Sequence, residues 1–446
     1  MGWYERADAF WAAAVDLAWG LPLVVLLIGA GLYFSVFGRF TPLRRLGHAF
    51  RVLRGDYDDA SDPGQITHFQ ALTSALSATL GMGNIAGVAI AVATGGPGAV
   101  FWMWVAGLVG MATKFFTCTL AVLYRKPDSH GVPQGGPMYW IEVGLGRHWR
   151  FLGYLFSIFG MIGCLALFQI NQLASILEND WQIPRWGTGT VAAVLVGIVI
   201  LGGITRVGRV TSKIVPFMAI LYVGAALVII LRNAGDIPAI FGAIVSSAFG
   251  GQAILGGAAG VTMKEALVTG VRRAAFSNEA GMGTAPLAHG AAKTDEPVRE
   301  GLVAMLGPFI DTNIVCTLTA LVILGAGGGV GGDDGVLLTA AAFEQGLPGA
   351  GRLILTLVIL LFSMSTLISY SYYSQKCAIY VFGERWGARY EWIYLASIVV
   401  GAVWAQDLVI NLLDTAFAMM AIPTVLSTLI LSPRVAAATR DYFSRH

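Results

Sequence analysis

Polar residues in this chain are confined to short intervals between long apolar runs, and two of those runs carry the same internal interruption. Leu80-Gly81-Met82-Gly83-Asn84 and Ala280-Gly281-Met282-Gly283-Thr284 stand 200 residues apart, each with apolar sequence on both sides. The uncharged stretches 17–37 and 151–177 hold 21 and 27 residues, and about 20 suffice for a helix to cross a hydrocarbon core. The pattern predicts eleven crossings. An opening helix (17–37) is followed by a broken span (67–94) and spans at 99–123, 151–177, 187–204 and 214–231. A second broken span (264–293) then leads to spans at 298–325, 353–380, 390–406 and 408–431. The expected class is therefore an all-α integral membrane protein.

In a bilayer, backbone groups freed by a break survive only where they line a cavity, so paired Gly-x-Gly breaks in corresponding halves point to a binding site. The order of elements predicts a 5+5 inverted repeat preceded by one extra N-terminal helix. Its parts are 1–65 (extra helix and basic loop), 66–232 (first repeat, broken at 80–84), 233–263 (an external lid or re-entrant segment), 264–433 (second repeat, broken at 276–284) and a tail, 434–446.

Charge fixes the expected orientation. Residues 237–263 are uncharged for 27 positions and resemble a twelfth crossing. With eleven crossings and the N-terminus outside, however, 20 of the 28 Lys and Arg residues fall in cytoplasmic loops and the tail. A twelfth would strand the last eight outside, against the positive-inside rule. Met1–Asp16 has Arg6 as its only basic residue and lacks a secretory leader, so the first helix is read as retained. Composition agrees with the membrane setting: 56% hydrophobic, 12% charged, mean hydropathy +0.70.

An unwound helix presents N–H groups at the start of one half and carbonyls at the end of the other, so one break can hold an anion and a cation together. A zwitterionic amino acid with Na⁺ fits that description. At the first break Gly81 and Gly83 allow a carboxylate to approach the backbone, Asn84 offers an amide, and Ser77 and Thr79 add hydroxyls. At the second, Phe276 can wall a small side chain while Ser277 and Asn278 meet polar atoms or a hard cation. Gln169, Asn171 and Gln172 interrupt one apolar helix, and Ser363, Ser365, Thr366, Ser369 and Tyr370 form a hydroxyl-rich run in another. Lys114, Glu279 and Asp311 are charges within spans, each costing about 2.5–3.5 kcal/mol unless it faces protein or water. Glu279 is open to three roles, a proton relay, a cation ligand or a brace capping freed N–H groups, and the brace is preferred.

Other classes lack their marks. Four cysteines (Cys118, Cys164, Cys316, Cys377) lie in separate apolar segments without metal-ligand spacing and read as packing residues. The six histidines are scattered, with no His-Glu-x-x-His or Ser/His pair for intramembrane catalysis. A channel would want a ring-like filter and continuous pore helices. Nucleic-acid binding has no support at a net charge of +2.

The strings Ala71–Ala89 (ALTSALSATLGMGNIAGVA), Gln134–Tyr139 (QGGPMY) and Phe276–Pro286 (FSNEAGMGTAP) resemble the alanine/glycine:cation symporter family, as do Arg209–Val223 and Gly301–Leu324, in collinear order over most of the chain. The resemblance implies a LeuT-type fold, alternating access in the cell membrane, and Na⁺-coupled uptake of a small neutral amino acid by a monomeric transport unit. It implies no organic cofactor and no enzymatic activity. Carried over by position, the substrate would contact Gly81, Gly83, Gln169, Phe276, Ser277, Asn278, Met282, Thr366 and Tyr370. One Na⁺ would be held by the carbonyls of Ser77 and Leu80 and the hydroxyls of Ser365 and Thr366, a second by Thr79, Asn84 and Ser277. The alternative is a proton-coupled symporter with Glu279 in the relay. The chain departs from the family pattern at Ser369-Tyr370, where related sequences usually read Gly-Trp, at Gln375, where Glu is common, and at Met82, where a smaller or β-branched residue is usual.

Overall fold

A computed structural model describes residues 3–59, 61–250, 262–327 and 335–445. The described chain is mostly helical. Among the described residues seven helices are long and apolar enough to cross a membrane, His68–Gly95 with its break included, and the bent pair Arg6–Ala18 and Leu21–Phe37, at 47°, makes an eighth. Three further expected spans appear as shorter or interrupted helices: Arg185–Ile200, Met263–Asn278 with Ala285–His289, and Tyr390–Val403.

Both broken helices start on the same device. Thr67 caps His68–Thr79: its hydroxyl accepts from Gln70 N (3.2 Å), and Gln70 Oε1 accepts from Thr67 N (3.1 Å). Thr262 and Glu265 repeat this reciprocal box at Met263–Asn278, with bonds of 3.2 and 2.7 Å. Each box satisfies two of the donors that a helix start leaves orphaned. The first broken helix sits at the centre, with 94% of its most apolar window buried, whereas Gly203–Arg232 has only 28% buried and lies at the periphery. Packed against the centre are Gly98–Leu123, Gly351–Phe382 and the helix through Pro297–Gly325.

Three features differ from the sequence reading. The opening helix does not begin at Leu17: Trp3–Ala18 is already helical, and the chain bends at Trp19–Gly20, where Pro22 starts the next helix without needing an N–H. The stretch 151–177 divides at Cys164–Ala166, with Ala166 left-handed (φ 54°), into Arg150–Gly163 and Leu167–Trp181. A helix over Gly335–Gly346 occupies what reads as a loop, its first turn held by Gln172 Oε1 accepting from Val336 N (3.0 Å). The proposed lid begins as a helix, Ile237–Ala248, against the end of Gly98–Leu123, where Trp102 Nε1 donates to Ala248 O (3.2 Å). Its continuation at 251–261 lies outside the described residues.

Candidate functional site

The two breaks unwind in different ways. At the first, Leu80 (φ −69°, ψ 88°) leaves the helix and Gly81 is extended before helix resumes at Met82. Gly81 N donates to Asn84 Oδ1 (2.9 Å), so the asparagine caps the very break it follows. A Cβ on Gly81 would stand 2.7 Å from Thr366 Oγ1, which explains why no side chain is carried there. At the second, Glu279, Gly281 and Gly283 all adopt positive φ (55°, 90° and 88°), and only the five residues Ala285–His289 resume helix. Non-glycine residues rarely tolerate such angles.

The breaks meet. A Cβ on Gly83 would lie 3.0 Å from Ser277 Cα, so the two backbones touch at this point. Asp311, buried on a π-helical stretch Phe309–Cys316, joins them. Its Oδ1 accepts from Asn84 Nδ2 (2.7 Å), and its Oδ2 accepts from the hydroxyls of Ser277 (2.6 Å) and Thr312 (2.9 Å). Asn84 Nδ2 also reaches Ser277 Oγ (3.1 Å), and Asn278 Nδ2 donates to Thr312 Oγ1 (2.9 Å). Cys316 Sγ stands 3.2 Å from Ser277 Oγ, so this thiol borders the hub as well as filling space. A wide turn such as the π-helix frees a backbone carbonyl, and Asp311 O lies 3.1 Å from Asn84 Nδ2.

A second oxygen cluster joins the first broken helix to Gly351–Phe382. The Ser77 carbonyl faces the hydroxyls of Thr366 (2.9 Å) and Ser365 (3.4 Å), Ser77 Oγ donates to Ser365 O (2.7 Å), and Ser369 Oγ lies 2.9 Å from Ser77 Oγ. Ser365 and Thr366 each have a second acceptor, the Phe362 carbonyl, at 2.9 and 3.0 Å. A hydroxyl has one proton, so donation to Phe362 leaves lone pairs turned toward Ser77 and the open carbonyl end at Leu80.

At the second break Glu279 accepts from hydroxyls and not, among the described residues, from the freed N–H groups expected of it. Thr284 and Tyr370 donate to its two carboxylate oxygens, tying both ends of the unwound segment to Gly351–Phe382. Tyr370, expected at the substrate, thus has its hydroxyl committed to Glu279. Phe276 stacks edge-on against Phe168 (5.2 Å) and tilts on Phe417 (5.3 Å), closing an aromatic wall. Gln169 is buried, and its Oε1 has no hydrogen-bond partner among the described residues. Met282 is buried, and its carbonyl accepts from Thr424 Oγ1 (3.3 Å). Of the expected second ion set, Asn84 and Ser277 meet at Asp311, whereas the Thr79 hydroxyl faces the Leu76 carbonyl (3.5 Å).

Two further charged groups attach to the broken helices. Arg273, on the N-terminal half of the second, pairs with Asp414 of the C-terminal helix Gln406–Arg445, and Trp19 Nε1 donates to the Asp414 carbonyl (2.8 Å). At the other end, the Nδ1 atoms of His68 and His289 contact the two oxygens of Glu300, which is wholly buried. His68 opens the first broken helix and His289 closes the second, so one carboxylate gathers both ends. Sequence flagged Asp311 only as an intramembrane charge and did not connect the histidines with Glu300. The signals were present in the cost of burying such groups, but Asn84 and His68 lie 227 and 232 residues from their carboxylates, and nothing marks His289, 11 residues from Glu300, as its partner.

Unwound backbone meeting at a buried carboxylate, inside a bundle of apolar helices, has a use when polar solutes pass between the helices. The class so defined is a multi-pass membrane transporter with a LeuT-like fold. The Eremococcus coleocola manganese transporter has that fold in common with it, at a TM-score of 0.58 and 13% identity over 83% of each chain. The chain belongs to the sodium:alanine symporter family, whose sequence profile matches residues 5–446. It is 42% identical to the sodium/alanine symporter AgcS of Methanococcus maripaludis, over 96% of this chain and 95% of that one. It is also 42% identical to a Haemophilus influenzae protein named as an uncharacterized transporter, over 97% and 96%.

Proposed function

We propose that the protein couples Na⁺ entry to the uptake of a small neutral amino acid of the alanine or glycine class by alternating access. The observation that carries this reading is the pair of oxygen clusters, one on each face of the first break. Ser77, Leu80, Ser365 and Thr366 offer two carbonyls and two hydroxyls to a hard cation, and Asn84, Ser277 and Asp311 offer three further oxygen-bearing side chains with a formal negative charge. Substrate then lies along Gly81 and Gly83, with its carboxylate toward the start of Met82–Gly95. The Phe276, Phe168 and Phe417 wall leaves room for a small apolar side chain, and Gln169 Oε1 is an unspent acceptor for the ammonium group.

In this reading the transport unit is a monomer of eleven crossings, with residues 66–232 and 264–433 as inverted repeats around the site, 1–65 an added helix and basic loop, 233–263 an external lid and 434–446 a tail. The N-terminus lies outside and the C-terminus in the cytoplasm, as the distribution of basic loops supports. Reciprocal capping boxes at the same place in both broken helices support the repeat. Glu279 is assigned as a brace, because both its oxygens are engaged within the break.

The test is uptake of radiolabelled alanine and glycine into proteoliposomes. An inward Na⁺ gradient drives accumulation, and K⁺ in its place does not. Equal uptake in K⁺, with no response to a proton gradient, removes coupled symport.

A further inference from the structure

Where the helix Leu21–Phe37 ends, the chain turns through two successive left-handed residues, Arg39 (φ 52°) and Phe40 (φ 54°), into the short helix Thr41–Arg44. Neither is glycine, and each such position costs on the order of 1 kcal/mol or more. The turn folds the loop back against the last turns of Gln406–Arg445 and leaves a cleft of about 210 Å³. Four arginines line it: Arg39, Arg44, Arg45 and Arg440. Its other walls include Phe37 and Phe443, with the Arg45 guanidinium 4.1 Å from the Phe443 ring centroid.

No carboxylate lines this cleft. Among the described residues the arginine ion pairs are made by Arg150, Arg185, Arg272, Arg273, Arg299, Arg352 and Arg445, all elsewhere. Four like charges gathered without a counter-charge repel one another, and an anion placed between them removes that cost. The planar guanidinium fork matches a phosphate by paired N–H···O bonds. The surroundings choose the carrier of that phosphate. Val36 (64% exposed), Phe40 (48%) and Leu43 (58%) present apolar side chains beside the basic cleft, at the end of a membrane-length helix. A soluble anion has no use for that surface, whereas acyl chains cover it.

We propose that this cleft binds the phosphate group of an anionic phospholipid, with the acyl chains along Val36, Phe40 and Leu43. The site ties the added N-terminal helix and the C-terminal helix to the leaflet. It lies apart from the solute site and needs neither Na⁺ nor amino acid.

The test uses the purified full chain in a neutral detergent, with phosphatidylglycerol, phosphatidylcholine and inorganic phosphate as separate probes, read by native mass spectrometry and by thermal melting. Phosphatidylglycerol is retained and raises the melting temperature, while phosphatidylcholine and phosphate leave it unchanged. Each Arg→Gln change at positions 39, 44, 45 and 440 weakens retention by roughly fivefold, and Arg44→Lys retains most of it. The pair Arg206→Gln and Arg209→Gln, in the first turns of Gly203–Arg232, binds as the parent does. Equal retention of the zwitterionic lipid, a melting shift from phosphate alone matching that from lipid, or native affinity in the fourfold glutamine variant overturns the proposal. Should the fourfold variant elute as aggregate, the single variants Arg44→Gln and Arg440→Gln decide, since unchanged retention in both is equally fatal. Alanine uptake failing to depend on Na⁺ would leave all these outcomes untouched.

Discussion

Replacing Asp311 by Asn tests the proposed ion site most directly, because it removes charge while sparing shape. The side-chain carbonyl of the new amide can still accept from Asn84 Nδ2, now at 2.7 Å from Oδ1, and its NH₂ can face the hydroxyls of Ser277 and Thr312, each free to turn and accept. Packing therefore survives. What disappears is the field of one carboxylate on a cation held by Asn84 and Ser277. Through one hydrogen bond and one metal–oxygen contact the separation is on the order of 5 Å, which at an effective dielectric of about 20 gives roughly 3 kcal/mol. That figure corresponds to about a hundredfold in Na⁺ affinity, and even half of it leaves about tenfold. The assay is alanine uptake into proteoliposomes at graded external Na⁺, with melting temperature and gel-filtration profile recorded on the same preparation. The expected result is a half-saturating Na⁺ concentration at least tenfold higher in a protein that melts within a few degrees of the parent. A half-saturation within threefold of the parent refutes the assignment of Asp311 to the ion. A collapse in melting temperature would mean the carboxylate is chiefly structural.

Asn84→Ala strips the Gly81 N–H of its cap and Asp311 of a donor, so Na⁺ half-saturation rises severalfold; an unchanged Na⁺ curve clears Asn84 of ion binding. Glu279→Gln keeps an acceptor for Tyr370 and transport within a few fold of the parent, whereas Glu279→Leu does not; abolished uptake in the glutamine variant would reinstate a proton relay. Gly283→Ala forces a φ of +88° on a residue with a Cβ, which would also stand 2.6 Å from Thr424 Oγ1 and 2.7 Å from Phe156. The cost is roughly 1–2 kcal/mol from the backbone alone, so a melting temperature equal to the parent's contradicts the observed break. Glu300→Ala leaves His68 and His289 without their shared acceptor and lowers stability by about 1–3 kcal/mol for each buried ring N–H left unpaired. The loss is strongly non-additive with His68→Ala, and additive losses on melting would show that the three do not act together.

Much of the helical order was legible because lipid imposes a simple rule: uninterrupted apolar length means a span, and glycine inside it means a break. One-turn spacing puts Ser365 and Ser369 on one helix face, but that Ser77 faces Ser365 and Thr366 came only from the family resemblance, because these residues lie on helices 288 and 289 positions apart. The hub around Asp311 was not legible. It depends on a π-helical widening and on contacts spanning 34 and 227 residues, which no local pattern encodes. The partner of the Tyr370 hydroxyl was illegible for a related reason: a hydroxyl run looks uniform in sequence, yet one member is drawn to Glu279, 91 residues away. The short helix Gly335–Gly346 escaped notice because it follows a glycine-rich stretch and is itself too short to read as a span. The capping boxes at Thr67 and Thr262 were readable by their Thr-x-x-Gln and Thr-x-x-Glu spacing.

The Arg273–Asp414 pair bears on how such a molecule moves. Asp414 also receives Trp19, so the N-terminal half of the second broken helix, the C-terminal helix and the first helical segment are riveted into one block. The stretch after the break is pinned as well, by His289 at Glu300 and, just beyond it, by the carbonyls of Ala291 and Ala292, which accept from Gln65 N (2.8 Å) and Arg125 (2.6 Å). Between these two pinned ends lies Glu279–Thr284 with its three positive-φ residues, so a change of shape in this helix would be taken up there and not by either flanking helix.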